Sequence, residues 1–240
     1  MSKETYCLED VMKGTETISP QGTPYFFIEA AVAQSEPESV ELCERFCRLF
    51  PPHSARVGQQ VYVPHATAER TLFLDIETTG LSPSRPLFLI GTMCYENGEL
   101  IARQYFARTY AEEVGVLAAI SDQMKDVHLL VTFNGNSFDV PYMQTRANGN
   151  GIVWNEPHGH LDLLPFARQA YRWRLPNCQL QTLESHICNR HREDDIPGRQ
   201  IPAAYRDFLL TGNAGMIGKI MEHNWQDTLT MVSLISHLFG

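Results

Sequence analysis

The stretch 71-TLFLDIETTGL-81 decides how the rest of the chain is read. Leu72, Phe73, Leu74 and Ile76 are dense enough for a buried strand, yet Asp75 and Glu77 interrupt its end. Residues two apart in a strand point to the same face, so the two carboxylates stand side by side. An ionised carboxylate buried without a partner costs on the order of several kcal/mol. Like charges that close also raise each other's pKa unless a cation lies between them. Thr78-Thr79-Gly80 then ends the strand and leaves the pair at its rim. Hard divalent ions take carboxylate oxygens from a few residues and keep other positions for water and phosphate, which makes a metal ion the natural partner of this pair.

Two more acids keep it company. In 131-VTFNGNSFDVPYM-143, Asp139 follows a buried strand and a Gly-Asn loop where the backbone can turn sharply. In 222-EHNWQDTLTMVSLISHL-238, Asp227 lies on a helix with His223 one turn earlier on the same face. The segments DIETTGL, FNGNSFD and HNWQD resemble, in order and spacing, the three exonuclease motifs of the DEDD nuclease superfamily, whose fold is ribonuclease H-like. HLDLL (160–164), DDIPG (194–198) with IPAAY (201–205), and His223-Asn224 ahead of the last acid are similar to the YprB-type ribonuclease H-like branch. The resemblance covers Glu69 to Leu238.

That resemblance implies a divalent-metal-dependent 3′–5′ exonuclease acting on single-stranded ends of DNA or RNA. Asp75, Glu77, Asp139 and Asp227 would hold two Mg²⁺ or Mn²⁺ ions, which in such sites lie ~4 Å apart and clamp the attacking and leaving oxygens. Thr78, Thr79, Gly80 and Leu81 would meet the terminal nucleotide, Thr79 through its backbone N–H or hydroxyl and Leu81 against the base. Asn134 and Asn224 join the expected substrate contacts. The better-known branches carry Tyr four residues before the final Asp or His five before it, whereas here His223 stands four before Asp227. His223 is expected to take a proton from the attacking water, the alternative being a structural histidine with Asn224 doing the orienting.

The surrounding pattern is α/β. TLFLDIE, LFLIGTMCYE and ELIARQYFAR read as strands, with Asn97-Gly98 as the tight turn between the last two. A helix runs from about Ala111 to Asp126, capped by Thr109 with Glu112; HLLVTFNG is a fourth strand, and SFDVPYMQTRAN opens a helix. From Leu161 onward the chain reads as helices. The expected fold is a ribonuclease H-like mixed β-sheet flanked by helices over 69–240, with a small N-terminal α+β appendage over 1–68. In that appendage TPYFFIEAAVA is a strand. A helix follows with a Ser35/Glu38 capping box, a Val40/Cys43/Cys47/Phe50 stripe and a Pro51-Pro52 stop.

Composition sets limits on these readings. The start MSKETYCLED is polar, and six cysteines without a C-x-x-C pair fit a reducing compartment, so a cytoplasmic protein is expected. A net charge of −9 argues against non-specific attraction to nucleic acid. One local exception is ARQAYRWRL (167–175), where Arg168, Arg172 and Arg174 interleave with Tyr171 and Trp173; this suits phosphate contacts with base stacking, or equally a solvated helix face. His186, Cys188 and His191 lack the paired spacing of a zinc motif and are assigned to packing. Asp162 caps the helix it begins, or orients a catalytic group, and Asp194-Asp195 forms a solvated turn. The competing function classes are a non-catalytic nucleic-acid-binding module of the same fold and a phosphodiesterase on small nucleotides.

Overall fold

The computed structural model describes residues 6–34, 39–50, 56–57, 61–62 and 65–240. Strands β1 (Thr15–Ile18) and β2 (Pro24–Ala31) come first, and β3 (Arg56–Val57) and β4 (Val61–Tyr62) pair with each other. The later strands are β5 (Thr71–Thr78), β6 (Leu87–Glu96), β7 (Glu99–Phe106), β8 (Leu129–Thr132) and β9 (Gly159–Asp162). All but β3 and β4 form one seven-stranded sheet in the order β1-β2-β7-β6-β5-β8-β9. Pairing is antiparallel from β1 through β5 along that order, then parallel from β5 to β8 and β8 to β9. The helices are α1 (Leu8–Val11), α2 (Ser39–Cys47), α3 (Glu113–Gln123), α4 (Asp139–Gly149), α5 (Leu163–Tyr171), α6 (Leu180–His186), α7 (Ile201–Thr211) and α8 (Gly215–Phe239). The expected mixed sheet flanked by helices is therefore what the chain forms. Among the described residues no helix is long and apolar enough to cross a membrane.

Alternation along β5 sorts its side chains between two cores. Leu72, Leu74 and Ile76 join Val116, Ile120, Tyr142 and Tyr205 on one face of the sheet. Phe73 joins Phe46, Leu229, Val232 and Ile235 on the other. Asp75 and Glu77 continue the Phe73 face, so they point toward α8. The turn between β6 and β7 has Asn97 at φ 51° and Gly98 at φ 91°, the left-handed geometry that the Asn-Gly pair tolerates.

Several details differ from the sequence reading. The sequence pattern puts the start of the helical region at Leu161, whereas Gly159–Asp162 form the four-residue strand β9. It is too short and too polar at Gly159-His160 to show a strand pattern, and it exists because β8 offers a parallel edge. The helix expected from Ala111 is a 3₁₀ turn at Tyr110–Glu112, then α3, then a second 3₁₀ turn at Met124–Asp126. Thr109 makes no side-chain cap; Glu112 instead accepts from the Arg108 backbone N–H at 2.8 Å and pairs with its guanidinium. In α2 the buried face is carried by Cys43 and Phe46, while Val40 in the first turn is exposed. The Ser35/Glu38 capping box and Pro51-Pro52 lie outside the described residues.

The boundary drawn near residue 68 does not separate two cores. β2 pairs with β7 from Phe26↔Phe106 to Ala31↔Ile101, and the Phe46 ring meets Phe73 at 5.4 Å and Phe50 at 5.1 Å. A chain beginning at Thr67 leaves the β7 edge open as a pairing template, and losing Phe46 alone removes packing worth about 3–5 kcal/mol. Such a truncation is expected to melt at a lower temperature and self-associate, measured by calorimetry and light scattering. A monomer with an unchanged melting temperature would make residues 1–68 an independent accessory unit.

Candidate active site

Asp75 stands opposite Gly91 of β6, and that glycine makes room for a third residue. A Cβ at position 91 would lie 1.9 Å from Asn224 Oδ1, so only glycine lets this side chain approach the sheet. Asn224 is fully buried. Its amide donates to Asp75 Oδ2 at 2.9 Å and to the Asp75 carbonyl at 3.3 Å, and its Oδ1 accepts from Gln104 Nε2 at 3.0 Å. Gln104 also donates to the Met221 carbonyl at 2.8 Å, tying β7, α8 and β5 together through polar groups. Beyond Asp75, a register shift between Glu77 and Thr78 ends regular pairing.

Asp139 arrives from the opposite side, in the first turn of α4. The loop before it holds Asn134 at φ 67°, and a Cβ on Gly135 would lie 2.2 Å from Thr132 Oγ1. Asp162 fastens this loop. Its Oδ1 accepts from the N–H of Asn134 at 2.8 Å and of Leu164 at 3.0 Å, and its Oδ2 from Asn136 N–H at 3.1 Å. Asp162 therefore caps α5 and positions the loop that leads into Asp139. Asp139 Oδ1 accepts from the Ile76 N–H at 3.3 Å, placing it beside the Asp75/Glu77 strand end.

Asp227 and His223 share one face of α8. His223 Nε2 lies 3.6 Å from Asp227 Oδ2 and 4.0 Å from Glu77 Oε1. Two residues the sequence reading did not assign to the site complete it. The Arg192 guanidinium bonds Asp227 Oδ1 at 2.5 Å and Glu184 at 2.6 Å, and His223 Nδ1 meets Asp195 Oδ1 at 2.8 Å. The turn at Asp194-Asp195 is thus not simply solvated: Asp194 faces solvent and pairs with Lys219, whereas Asp195 turns inward. The only sequence signal for it was the DDIPG segment, because the contact joins residues 28 apart in the chain.

The remaining expected contacts divide. Asn224 is enclosed beneath Asp75 and does not reach the surface as a substrate contact would need. Thr79 donates both its N–H and its hydroxyl to the Pro86 carbonyl, each at 2.9 Å, so neither faces a terminal sugar. Thr78 donates to the Gly80 carbonyl at 2.9 Å, and Tyr142 holds the same carbonyl at 2.9 Å. This pinned turn leaves Leu81 88% exposed. Asn134 is exposed at the loop tip. Arg168, Arg172 and Arg174 are exposed around the end of α5, with the Arg172 guanidinium 4.8 Å from the ring centre of Trp173. His186 Nδ1 meets the Thr182 carbonyl at 3.0 Å, and Cys188 packs against the second core.

The family model of the RNase_H superfamily matches residues 72–239, which include all four acids and His223. The chain belongs to the RNase_H superfamily. It is similar to the protein YprB of Bacillus subtilis (strain 168), described as uncharacterised: 28% identity over 170 residues, covering 69% of this chain and 41% of that protein. The chain thus spans less than half the length of this relative, and the likeness supports a YprB-type, ribonuclease H-like family. In fold it is similar to a family B DNA polymerase from the hyperthermophilic archaeon Pyrobaculum calidifontis. There the TM-score is 0.55 at 17% identity, over 68% of this chain and 24% of the polymerase.

Electrostatics in this superfamily member follow from the crowding of its acids. Burial first, then the charges of Asp227, Glu77 and Asp139, raise Asp75 well above the usual carboxylate range; burial, Asp227 and Asp139 do the same to Glu77. Burial pushes Asp139 up to about 7, against its own backbone N–H and that of Ile76, which favour the charged form. Burial works against the Arg192 charge, yet Asp227 and Glu184 hold its pKa above the usual guanidinium value. Among the described residues no three His, Cys, Asp or Glu side chains close into a preformed metal cage, Asp227 being turned to Arg192. The donor set nevertheless suits a hard divalent cation: oxygen ligands that crowd one another's charge and hold protons when nothing positive lies among them.

A carboxyl with its folded pKa raised binds more protons folded than unfolded, so stability is present at low pH and is lost as pH rises. For Asp139 the window runs from its ordinary 3.8 to about 7. Metal-free protein is expected to lose stability across that range. Asp139→Asn, which keeps an acceptor for the Ile76 N–H, should flatten the slope and raise the melting temperature at pH above about 8. Urea melts of both proteins in chelator across pH check this; parallel curves would refute it.

Proposed function

We propose that the protein is a divalent-metal-dependent nuclease of the DEDD type, a 3′–5′ exonuclease on single-stranded ends of DNA or RNA. The observation that carries this reading is the crowded acidic quartet around the end of β5, Asp139 buried and Asp75, Glu77 and Asp227 half-buried, with His223 Nε2 at its edge. A binding module has no use for carboxylates converging where a phosphate must lie. Two Mg²⁺ or Mn²⁺ ions held by these four acids would neutralise the phosphate and lower the pKa of a bound water. Asn224 keeps Asp75 in one orientation, and His223 takes the proton of the attacking water. Leu81 packs on the terminal base. The six thiols agree with a reducing, cytoplasmic setting.

End-labelled single-stranded DNA and RNA, with Mg²⁺, Mn²⁺ or chelator, test the proposal. A 5′-labelled strand should shorten progressively, a circular strand should resist, and Asp75→Asn should abolish turnover with the fold retained. Cleavage of the circle would make the enzyme an endonuclease. Activity on dinucleotides alone would favour the phosphodiesterase reading, and wild-type rates from Asp75→Asn would refute the site.

The basic patch at the end of α5 supports nucleic acid as the substrate. α5 is capped by Asp162, which also fastens the loop leading into Asp139, and its far end carries exposed arginines beside Trp173, itself 85% exposed. In a chain of net charge −9, such a patch is a local attraction for a phosphate backbone, with a ring on which a base stacks. Trp173→Ala is expected to weaken binding of long oligonucleotides by about 1–3 kcal/mol, the scale of one base–aromatic stack, and to leave a dinucleotide's binding unchanged. Fluorescence anisotropy in chelator measures both; equal losses for both lengths would remove the patch from the strand's path.

A further inference from the structure

Asp195 lies on the segment between α6 and the 3₁₀ turn Gly198–Gln200. Its neighbour Asp194 has φ 55°, a left-handed conformation that Asp tolerates better than most residues, and Lys219 holds it at 2.6 Å. The Gln181 amide donates to Asp195 Oδ2 at 2.8 Å, and Arg192 lies 3.5 Å from the same oxygen. These anchors leave Oδ1 facing His223 Nδ1 at 2.8 Å. An ionised carboxylate can only accept, so in the neutral ring the proton belongs on Nδ1 and the lone pair on Nε2. Among the described residues Nε2 makes no direct hydrogen bond, its nearest acidic oxygens being 3.6 Å and 4.0 Å away.

We infer that Asp195 is a positioning residue for His223: it fixes the ring's tautomer and rotation so that the Nε2 lone pair faces the acidic cluster. The four-residue spacing on α8 puts His223 on the right face but leaves the ring free to turn, and a carboxylate outside the helix removes that freedom. In the reaction the water's proton passes to Nε2 as its oxygen bonds to phosphorus, the P–O3′ bond to the rest of the strand breaks and the released 3′ oxygen takes a proton from solvent, while Asp195 keeps its hydrogen bond from Nδ1–H throughout without receiving the proton. The catalytic part of this assignment rests on the nuclease reading; the tautomer part does not.

The test uses the full chain labelled with ¹⁵N at histidine, metal-free, with the ring nitrogens followed as His223 is titrated to its neutral form and His223→Ala supplying the assignment. Wild type should show the proton on Nδ1. Asp195→Asn, nearly identical in shape, can donate its amide to Nδ1 and should move the proton to Nε2, while Asp195→Glu keeps an acceptor and should keep Nδ1 protonated. On the best substrate, Asp195→Asn should lower kcat about a hundredfold with KM unchanged. Nε2 protonated in the wild type, or an unchanged tautomer in Asp195→Asn, overturns the inference, as does an unchanged kcat in an active enzyme. A wild type that cleaves nothing refutes the nuclease reading, and the ring signals still decide the positioning claim.

Discussion

Mutual repulsion among carboxylates at the end of a buried strand is the constraint around which this protein is arranged. Asp75 and Glu77 follow Phe73 on one face of β5, and Asp139 and Asp227 are brought to the same place from two helices. Each acid has its own answer to burial. Asp75 takes the Asn224 amide, Asp139 the Ile76 N–H, and Asp227 the Arg192 guanidinium. Glu77 has the His223 ring at 4.0 Å, and burial and its acidic neighbours push its carboxyl well above the usual range. Such a site is costly to maintain for stability alone, since uncharged residues of the same size would pack there without repulsion.

Helix α8 carries most of the arrangement. One turn of it presents Asn224 to the sheet and His223 with Asp227 to the acidic cluster. Its later turns are buried with Phe46 of α2 and Phe73 of β5, so the segment before residue 68 and the acidic site lean on the same helix. Gly91 sets how closely α8 can approach, because any side chain there would collide with Asn224. A single missing Cβ on β6 therefore reaches the Asp75 carboxylate through one amide.

Around this centre two exposed positions sit on backbone held by side-chain hydrogen bonds. Tyr142 and Thr78 both bond the Gly80 carbonyl, so Leu81 is exposed on a turn that cannot collapse onto it. Asp162 does the same for the loop carrying Asn134. The chain's net charge is −9, and the exposed arginines beside Trp173 are a local exception to it.

Local pattern was enough for the strand that ends in Asp75 and Glu77, the Asn97-Gly98 turn, a helix opening around Asp139 and the shared face of His223 and Asp227. Each depends on spacing within a few residues, where strand and helix periodicity act directly. The motif order also made the RNase_H superfamily legible. Tertiary structure alone decided what those residues touch. Asn224 was expected at the substrate and lies beneath Asp75; Thr79's donors were expected at a sugar and close a turn; Asp195 looked like part of a solvated turn and holds His223. It also decided that β1 and β2 complete the main sheet and that β9 exists at all. These outcomes rest on pairs far apart in the chain, such as Asp195 with His223 and Gly91 with Asn224. No periodicity encodes them, because they follow from how closely packed elements approach and which polar atoms must then find partners.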